Sequence, residues 1–145
     1  METSAQQTRV PRLWHPHLIA GGATLLMCAL VTDIFYSQTA DMQWANFSVW
    51  LITAGLIMAL LAGLALLLDL ALGRAGRVSW VHLGALAGAA LLSLLNVFIH
   101  SRDAWTSVVP QGLILSIVVA VCLAIIGWRG WSVTAVHVPA QRNRS

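Results

Sequence analysis

The sequence predicts an all-α integral membrane protein, a bundle of four helices that run up, down, up and down across a bilayer. Hydrophobic residues make up 59% of the 145 residues and charged residues only 9%, whereas a soluble domain has about 25% charged residues. Four separate apolar runs each reach the ~20 residues that a helix needs to cross the hydrocarbon core. Their connections are short, which favours antiparallel neighbouring helices.

The predicted helices cover about residues 17–36, 47–72, 79–100 and 109–128. Only a helix satisfies its own backbone polar groups within such short segments in lipid. Pro16 and Pro110 open the first and fourth helices, since a proline in the first turn lacks an N–H that has no helical partner there. Gly73 and Gly76 mark the turn between the second and third helices. We therefore divide the chain into an N-terminal segment, a membrane domain and a tail: 1–15, 16–131 and 132–145.

The arginines predict the orientation. Seven of the eight lie in the N-terminal segment, the second loop and the C-terminal flank, and only Arg102 lies on the opposite side. Arginine is in excess on the cytoplasmic side of membrane proteins, so we expect both termini in the cytoplasm and the protein in a bacterial inner membrane. Aromatic residues that favour the interfaces mark the same ends: Trp14, Trp80, Trp128 and Trp131 on the cytoplasmic side, and Tyr36, Trp44, Trp50 and Trp105 on the other.

Small residues on the third helix allow a close helix approach. The pair Gly84 and Gly88 forms a G-x-x-x-G pattern, which is typical of packed membrane helices. We expect this pair to pack within the four-helix bundle. The alternative is that it packs against a second copy of the chain in a homo-oligomer.

Ionisable side chains are costly inside a membrane helix and usually face the protein interior. In this chain the ionisable residues, together with the amides Asn96 and Gln111, fall into two layers. The cytoplasmic layer contains His15, His17, Asp69 and His82. The outer layer contains Asp33, Asn96, His100, Arg102, Asp103 and Gln111.

Polar and small residues form a stripe along the third helix. At ~100° per residue, His82 and His100 are five turns apart on one face, with Ser93 and Asn96 close to the same line. The first helix has a similar stripe, formed by His17, Gly21, Thr24 and Cys28. If the two stripes face each other, the bundle contains a narrow polar seam, to which we assign Asp33, Ser93, Asn96, His100 and Gln111.

Two interpretations of these polar residues remain open. They form hydrogen bonds that fix helix packing, or they bind a ligand. Neutral imidazole binds haem iron and divalent metal ions, and a helix N-terminus disfavours imidazolium. The candidate haem b ligands are His17, His82 and His15, and the candidate metal ligands are His82, Asp69 and His17.

Enzymatic activity and nucleic-acid binding are the disfavoured classes. The sequence contains no Ser/His/Asp or Cys/His arrangement with a domain around it, no phosphate-binding loop and no CxxC motif, so no catalytic residue is assigned. The net charge of +3 is explained by membrane topology rather than by a nucleic-acid partner.

Several motifs run along almost the whole chain. They are HP at the entry to the first helix (His15, Pro16), Asp33, GLALLLD ending at Asp69, WVHLGALAGAALLSLLN, SRDAWTSVVPQGLILS and GWRGWSV. On these motifs the chain resembles a bacterial family of small predicted membrane proteins, the domain of unknown function two-two-three-one. Family members often carry a second histidine about five residues after HP, whereas here His17 follows His15 by two. The resemblance implies a four-helix inner-membrane protein and an association with periplasmic sugar or alcohol oxidation and cytochromes.

One function leads and two alternatives remain. The leading function is a non-enzymatic membrane subunit of a redox or respiratory assembly. It would anchor a periplasmic dehydrogenase, a cytochrome or other membrane subunits, or pass their electrons toward quinone through one haem b. The alternatives are a purely structural membrane partner without a cofactor and a small transporter or proton path. The last would use Asp33, Asn96, His100 and His82.

Overall fold

Four long helices form the molecule. The computed structural model describes residues 12–102 and 108–136, which contain α1 (His15–Thr39), α2 (Met42–Ala71), β1 (Ala75–Val78), α3 (Trp80–His100), α4 (Gln111–Trp128) and β2 (Thr134–Val136). Each helix is long and apolar enough to cross a membrane. This confirms the predicted all-α class and the four spans. We call the end of the bundle that carries the strands the sheet end, and the opposite end the far end.

The first two helices are longer than predicted, and only Ala40 and Asp41 connect them. Ala40 adopts a left-handed conformation with φ of 53° and donates its N–H to the carbonyl of Tyr36 at 2.8 Å. The Asp41 carboxylate accepts the N–H of Gln43 at 2.9 Å. Because Asp41 caps α2, this helix begins at residue 42 rather than 47, and the predicted ten-residue connection becomes a tight turn.

The closest helix contact joins α1 and α2. A Cβ atom built on Gly22 would lie 3.1 Å from the carbonyl oxygen of Gly55 and 3.2 Å from Cβ of Met58. The two backbones therefore approach as closely as glycine allows. Buried residues of α1, α2, α3 and α4 complete the core around this contact: Ala23, Leu26, Ala29, Ile52, Ala89, Val119 and Leu123.

The predicted packing of Gly84 and Gly88 within the bundle is wrong. A Cβ atom added at either position would meet no other atom within 4 Å. The buried face of α3 instead carries Ala89, Ser93 and Asn96. Residues 84 and 88 are rotated about 140° and 100° away from residue 89 around the helix, so neither glycine lies on the buried face; Gly84 is exposed and Gly88 is half-buried.

A two-stranded antiparallel sheet lies at the sheet end, which the sequence analysis did not predict. Ala75 of β1 lies opposite Val136 of β2, and Val78 lies opposite Thr134. Just before β2, Val133 is only 1% exposed, and its carbonyl accepts the N–H of Ser79 at 2.8 Å. The first part of the predicted tail therefore folds back onto the loop between α2 and α3. Residues 137–145 lie outside the described part of the chain.

Candidate functional site

A buried histidine–aspartate pair lies at the sheet end. His15 is in the first turn of α1 and Asp69 is in the last turn of α2, so the antiparallel packing brings them together. His15 Nδ1 lies 2.9 Å from Asp69 Oδ2, and the two side chains are 0% and 2% exposed. The backbone N–H of Trp14 donates to the same carboxylate oxygen at 3.3 Å.

The partners of His15 determine its chemistry. A carboxylate accepts hydrogen bonds, so Nδ1 of a neutral His15 carries the proton and Nε2 carries the lone pair. No described residue forms a hydrogen bond with His15 Nε2, although this atom is buried. A histidine that donates one ring N–H to a carboxylate and leaves the other nitrogen free is the usual arrangement of a metal-ligating imidazole.

The second predicted haem ligand, His17, lies on the other side of α1. Its side chain is exposed while that of His15 is buried. Two residues are separated by about 200° around a helix, so only one of the two imidazoles can face the interior. The candidate haem ligand His17 therefore does not face the interior of the bundle together with His15.

His82 is half-buried in the first turn of α3. Its Nε2 is buried, and no described residue forms a hydrogen bond with it. The structure does not assemble the predicted metal set of His82, Asp69 and His17. Within residues 12–102 and 108–136, no three His, Cys, Asp or Glu side chains converge so that they could hold a metal ion.

A second buried cluster lies at the far end and joins three helices. His100 Nε2 of α3 lies 2.9 Å from Asp33 Oδ1 of α1, and both side chains are 0% exposed. Asp33 Oδ2 accepts the hydroxyl proton of Ser116 from α4. Asn96 Nδ2 donates to Ser116 Oγ at 2.8 Å, and Asn96 Oδ1 is buried without a partner among the described residues. His100, rather than Arg102, is therefore the group that faces Asp33.

The other residues of the predicted seam do not join this cluster. The Ser93 hydroxyl is buried but donates to the carbonyl of Ala89 in its own helix at 2.8 Å. Gln111 is exposed and accepts a hydrogen bond from Arg102 at 3.3 Å. Asp103 lies outside the described residues.

The predicted stripe on α1 is wrong, because Thr24 and Cys28 are exposed. The buried face of this helix carries His15, Gly22, Ala29 and Asp33. These residues are seven, seven and four positions apart, which places them on one side of a helix. The polar groups on this face therefore lie at its two ends, with an apolar stretch between them.

An apolar cavity of about 240 Å³ lies between α1, α2 and α3, and the sequence analysis did not predict it. It begins one helical turn from His15, at Ile19, and extends along α1 to Leu26. The cavity exists because many of the residues that line it are small, among them Gly22, Gly55, Ala62, Gly63, Ala87 and Ala90.

The pairing of His15 with Asp69 also went unpredicted, although the sequence places both residues in the cytoplasmic layer. The two residues lie at similar distances before and after the α1–α2 turn, which is the signal that could have identified the pair. The rotation of each helix was needed to choose between His15 and His17.

Comparison with known proteins yields one match at the level of the family. No curated protein and no solved structure matches the chain. A family model described as predicted membrane protein (DUF2231) matches residues 13–141, which cover all four helices and both strands. The chain therefore belongs to the DUF2231 family of predicted membrane proteins.

Proposed function

We propose that this protein is a small non-catalytic membrane subunit of a redox or respiratory assembly, in which His15 would hold one haem b. The observation that supports this most directly is the state of the His15 ring. Asp69 fixes Nδ1 at 2.9 Å, and the buried Nε2 has no partner among the described residues. A buried polar atom normally has a hydrogen-bond partner, so a free imidazole nitrogen favours ligation.

The residues present fit a haem in their chemistry. The hydrogen bond to Asp69 makes the His15 imidazole a stronger electron donor to iron. His82 offers a second buried Nε2 at the same end of the bundle. A bound haem would supply one-electron transfer at a potential that its ligands and burial set. The protein itself would orient the imidazole and keep water away from the site.

The cavity between α1, α2 and α3 begins one helical turn from His15, and we propose it as the place of the porphyrin. At about 240 Å³, this cavity is smaller than the ~300–1,000 Å³ of ordinary cofactor pockets, so a porphyrin must widen it. The walls best able to move belong to α2 and α3, which contact each other less extensively than α1 and α2 do. The lining residues Gly63 and Ala87 belong to these two helices.

A role beside a larger partner is consistent with the dimensions of the chain. Most of the described residues belong to the four helices and the short sheet. We propose that a periplasmic dehydrogenase, a cytochrome or another membrane subunit supplies the electrons. The protein then anchors this partner in a bacterial inner membrane and passes its electrons toward quinone.

An absorption spectrum tests the haem. Protein expressed with ample haem supply and purified in mild detergent is expected to show a Soret band. His15→Ala should remove this band, whereas His17→Ala should keep it, because His17 is exposed only two residues away. Asp69→Asn should keep the band and shift the midpoint potential. A colourless wild-type protein, or equal losses in the two histidine variants, contradicts the haem assignment.

A purely structural membrane subunit is the outcome if the protein is colourless but still co-purifies with a membrane dehydrogenase or cytochrome. Native purification followed by mass spectrometry identifies the partner. If the protein neither binds haem nor co-purifies with a redox partner, the redox proposal fails as a whole.

The far-end cluster favours a second candidate function, a proton path. Two titratable groups, Asp33 and His100, lie 2.9 Å apart in a fully buried position, and such groups in membrane helices often mark proton relays. The test is pH-driven proton flux into liposomes that contain the purified protein. Flux that Asp33→Asn abolishes and Asp69→Asn preserves supports this candidate, and the absence of flux in the wild type rejects it.

A further inference from the structure

The hydrogen-bond directions at the far end determine how many protons the cluster holds. His100 Nδ1 lies 3.0 Å from the backbone carbonyl oxygen of Asn96. A carbonyl oxygen only accepts hydrogen bonds, so Nδ1 carries a proton. Any further proton of the imidazole must therefore lie on Nε2, which faces Asp33 Oδ1 at 2.9 Å.

Ser116 determines the direction of the hydrogen bond at the other carboxyl oxygen of Asp33, Oδ2. Its Oγ accepts an N–H from Asn96 Nδ2 at 2.8 Å, and its own proton points to Asp33 Oδ2. A carboxyl proton on Oδ2 would face this hydroxyl proton. The remaining position for a proton of Asp33 is Oδ1, which faces His100.

We propose that Asp33 and His100 form a binding site for a single proton, held between Asp33 Oδ1 and His100 Nε2. With one proton in this position, the pair is either carboxylate and imidazolium or carboxylic acid and neutral imidazole. Both forms make every hydrogen bond described above, and both are neutral as a unit. The ligand of this site is the proton itself.

A pair without this proton and a pair with two protons are both unfavourable. Without the proton, a carboxylate oxygen faces an imidazole lone pair at 2.9 Å, which leaves two buried acceptors without a donor and an unpaired charge. With two protons, the imidazolium has no anion beside it among residues 12–102 and 108–136, and its side chain is 0% exposed. An uncompensated buried charge is strongly destabilising.

Of the other residues that the structure describes at this end, Ser48 and Arg102 do not compensate either charge. From α2, Ser48 donates to the carbonyl of Ala29 at 3.4 Å and is uncharged. Tyr36 lies one turn beyond Asp33 on α1. Arg102 is exposed and bonds to Gln111 at 3.3 Å.

Two spectroscopic measurements on the wild-type protein in lipid nanodiscs test the proposal. Nitrogen-15 NMR of labelled histidine reports the fraction of His100 that carries a proton on Nε2. Infrared spectroscopy of labelled aspartate reports the fraction of Asp33 that is a carboxylic acid. We expect the two fractions to add up to one proton at pH 7. A total near zero or near two at pH 7 overturns the proposal.

Asp33→Asn is the matched variant, because an asparagine can donate its amide N–H to His100 Nε2 and accept from Ser116 with its oxygen. We expect His100 to remain neutral in this variant, without a proton on Nε2. Imidazolium in Asp33→Asn contradicts the proposal. Asp69→Asn is the control that alters the other pair and should leave the total unchanged. The sum of the two protonated fractions in the wild type tests the proposal even if Asp33→Asn fails to fold. This sum does not depend on haem binding.

Discussion

Single side chains decide the character of both ends of this bundle. His15 and His17 have the same chemistry and nearly the same depth, yet one is fully buried against Asp69 and the other is exposed. The two carboxylates that lie within the spans, Asp33 and Asp69, each have an imidazole as partner. Burying a carboxylate without a partner is costly, so each pair allows a polar group to persist within an apolar bundle.

Asp69 Oδ2 accepts two hydrogen bonds, and this gives a prediction about a single side chain. Asp69→Ala leaves His15 Nδ1 and the N–H of Trp14 without an acceptor, and the loss at the buried Nδ1 costs about 1–3 kcal/mol. Asp69→Asn should cost less than half as much, because one amide oxygen can accept both bonds. Thermal unfolding followed by circular dichroism in detergent measures the difference. Equal losses in the two variants would show that the hydrogen bonds do not stabilise this end.

The far-end pair should behave as a coupled unit. His100→Ala leaves Asp33 buried without its partner, and breaking a buried pair on one side costs about 3–5 kcal/mol. The double variant Asp33→Asn/His100→Ala removes the charge as well, so we expect it to be more stable than His100→Ala alone. The unfolding free energies of the wild type, both single variants and the double variant complete the cycle. Additive losses would refute the coupling.

Helix contacts explain why these side chains meet. The approach of Gly22 to Gly55 sets the register and rotation of α1 against α2, and this register places His15 beside Asp69. Shape complementarity of this kind is a main source of helix association in lipid, where hydrophobic transfer contributes little. The open G-x-x-x-G pair of α3 shows that a sequence pattern alone does not identify the packed face.

The glycine contact gives a prediction at the scale of the helix. Gly22→Ala places a Cβ atom 3.1 Å from the Gly55 carbonyl oxygen, which is backbone and cannot turn aside. We expect a loss of about 1–3 kcal/mol, the usual cost of overpacking. Gly84→Ala is the matched control, since it adds a methyl group where no atom lies within 4 Å. It should cause no loss, because alanine favours a helix by about 1 kcal/mol over glycine. Similar unfolding temperatures in both variants would contradict this account.

The whole molecule presents an apolar surface to lipid along all four helices, and its described Asp, His and Arg residues lie toward the ends of the helices. Large apolar side chains are exposed on every helix, for example Phe35, Leu60, Leu95 and Ile125. The buried aspartates lie near helix ends and are paired. This distribution is what a hydrocarbon solvent requires.

The four spans and the arginine distribution predict that both termini lie in the cytoplasm. We expect single cysteines at positions 12 and 132 to react with a membrane-impermeant reagent only from the cytoplasmic side. Those at positions 40 and 101 should react only from the outside. All four positions are exposed. The background lacks Cys28 and Cys122. Labelling of positions 12 and 132 from opposite sides would exclude an even number of spans.

The sequence by itself determined the class of the protein, the four spans and the helix ends near Pro16, Pro110 and His100. It also placed the ionisable residues in two layers. Hydropathy and capping suffice for this, because the cost of transferring a residue into oil depends mainly on that residue and its depth. The tertiary structure alone decided that His15 rather than His17 faces inward, that Gly84 and Gly88 do not lie on the buried face, and that a cavity and a sheet exist. These features depend on the rotation of each helix about its own axis, and that rotation is set by packing between residues far apart in the chain.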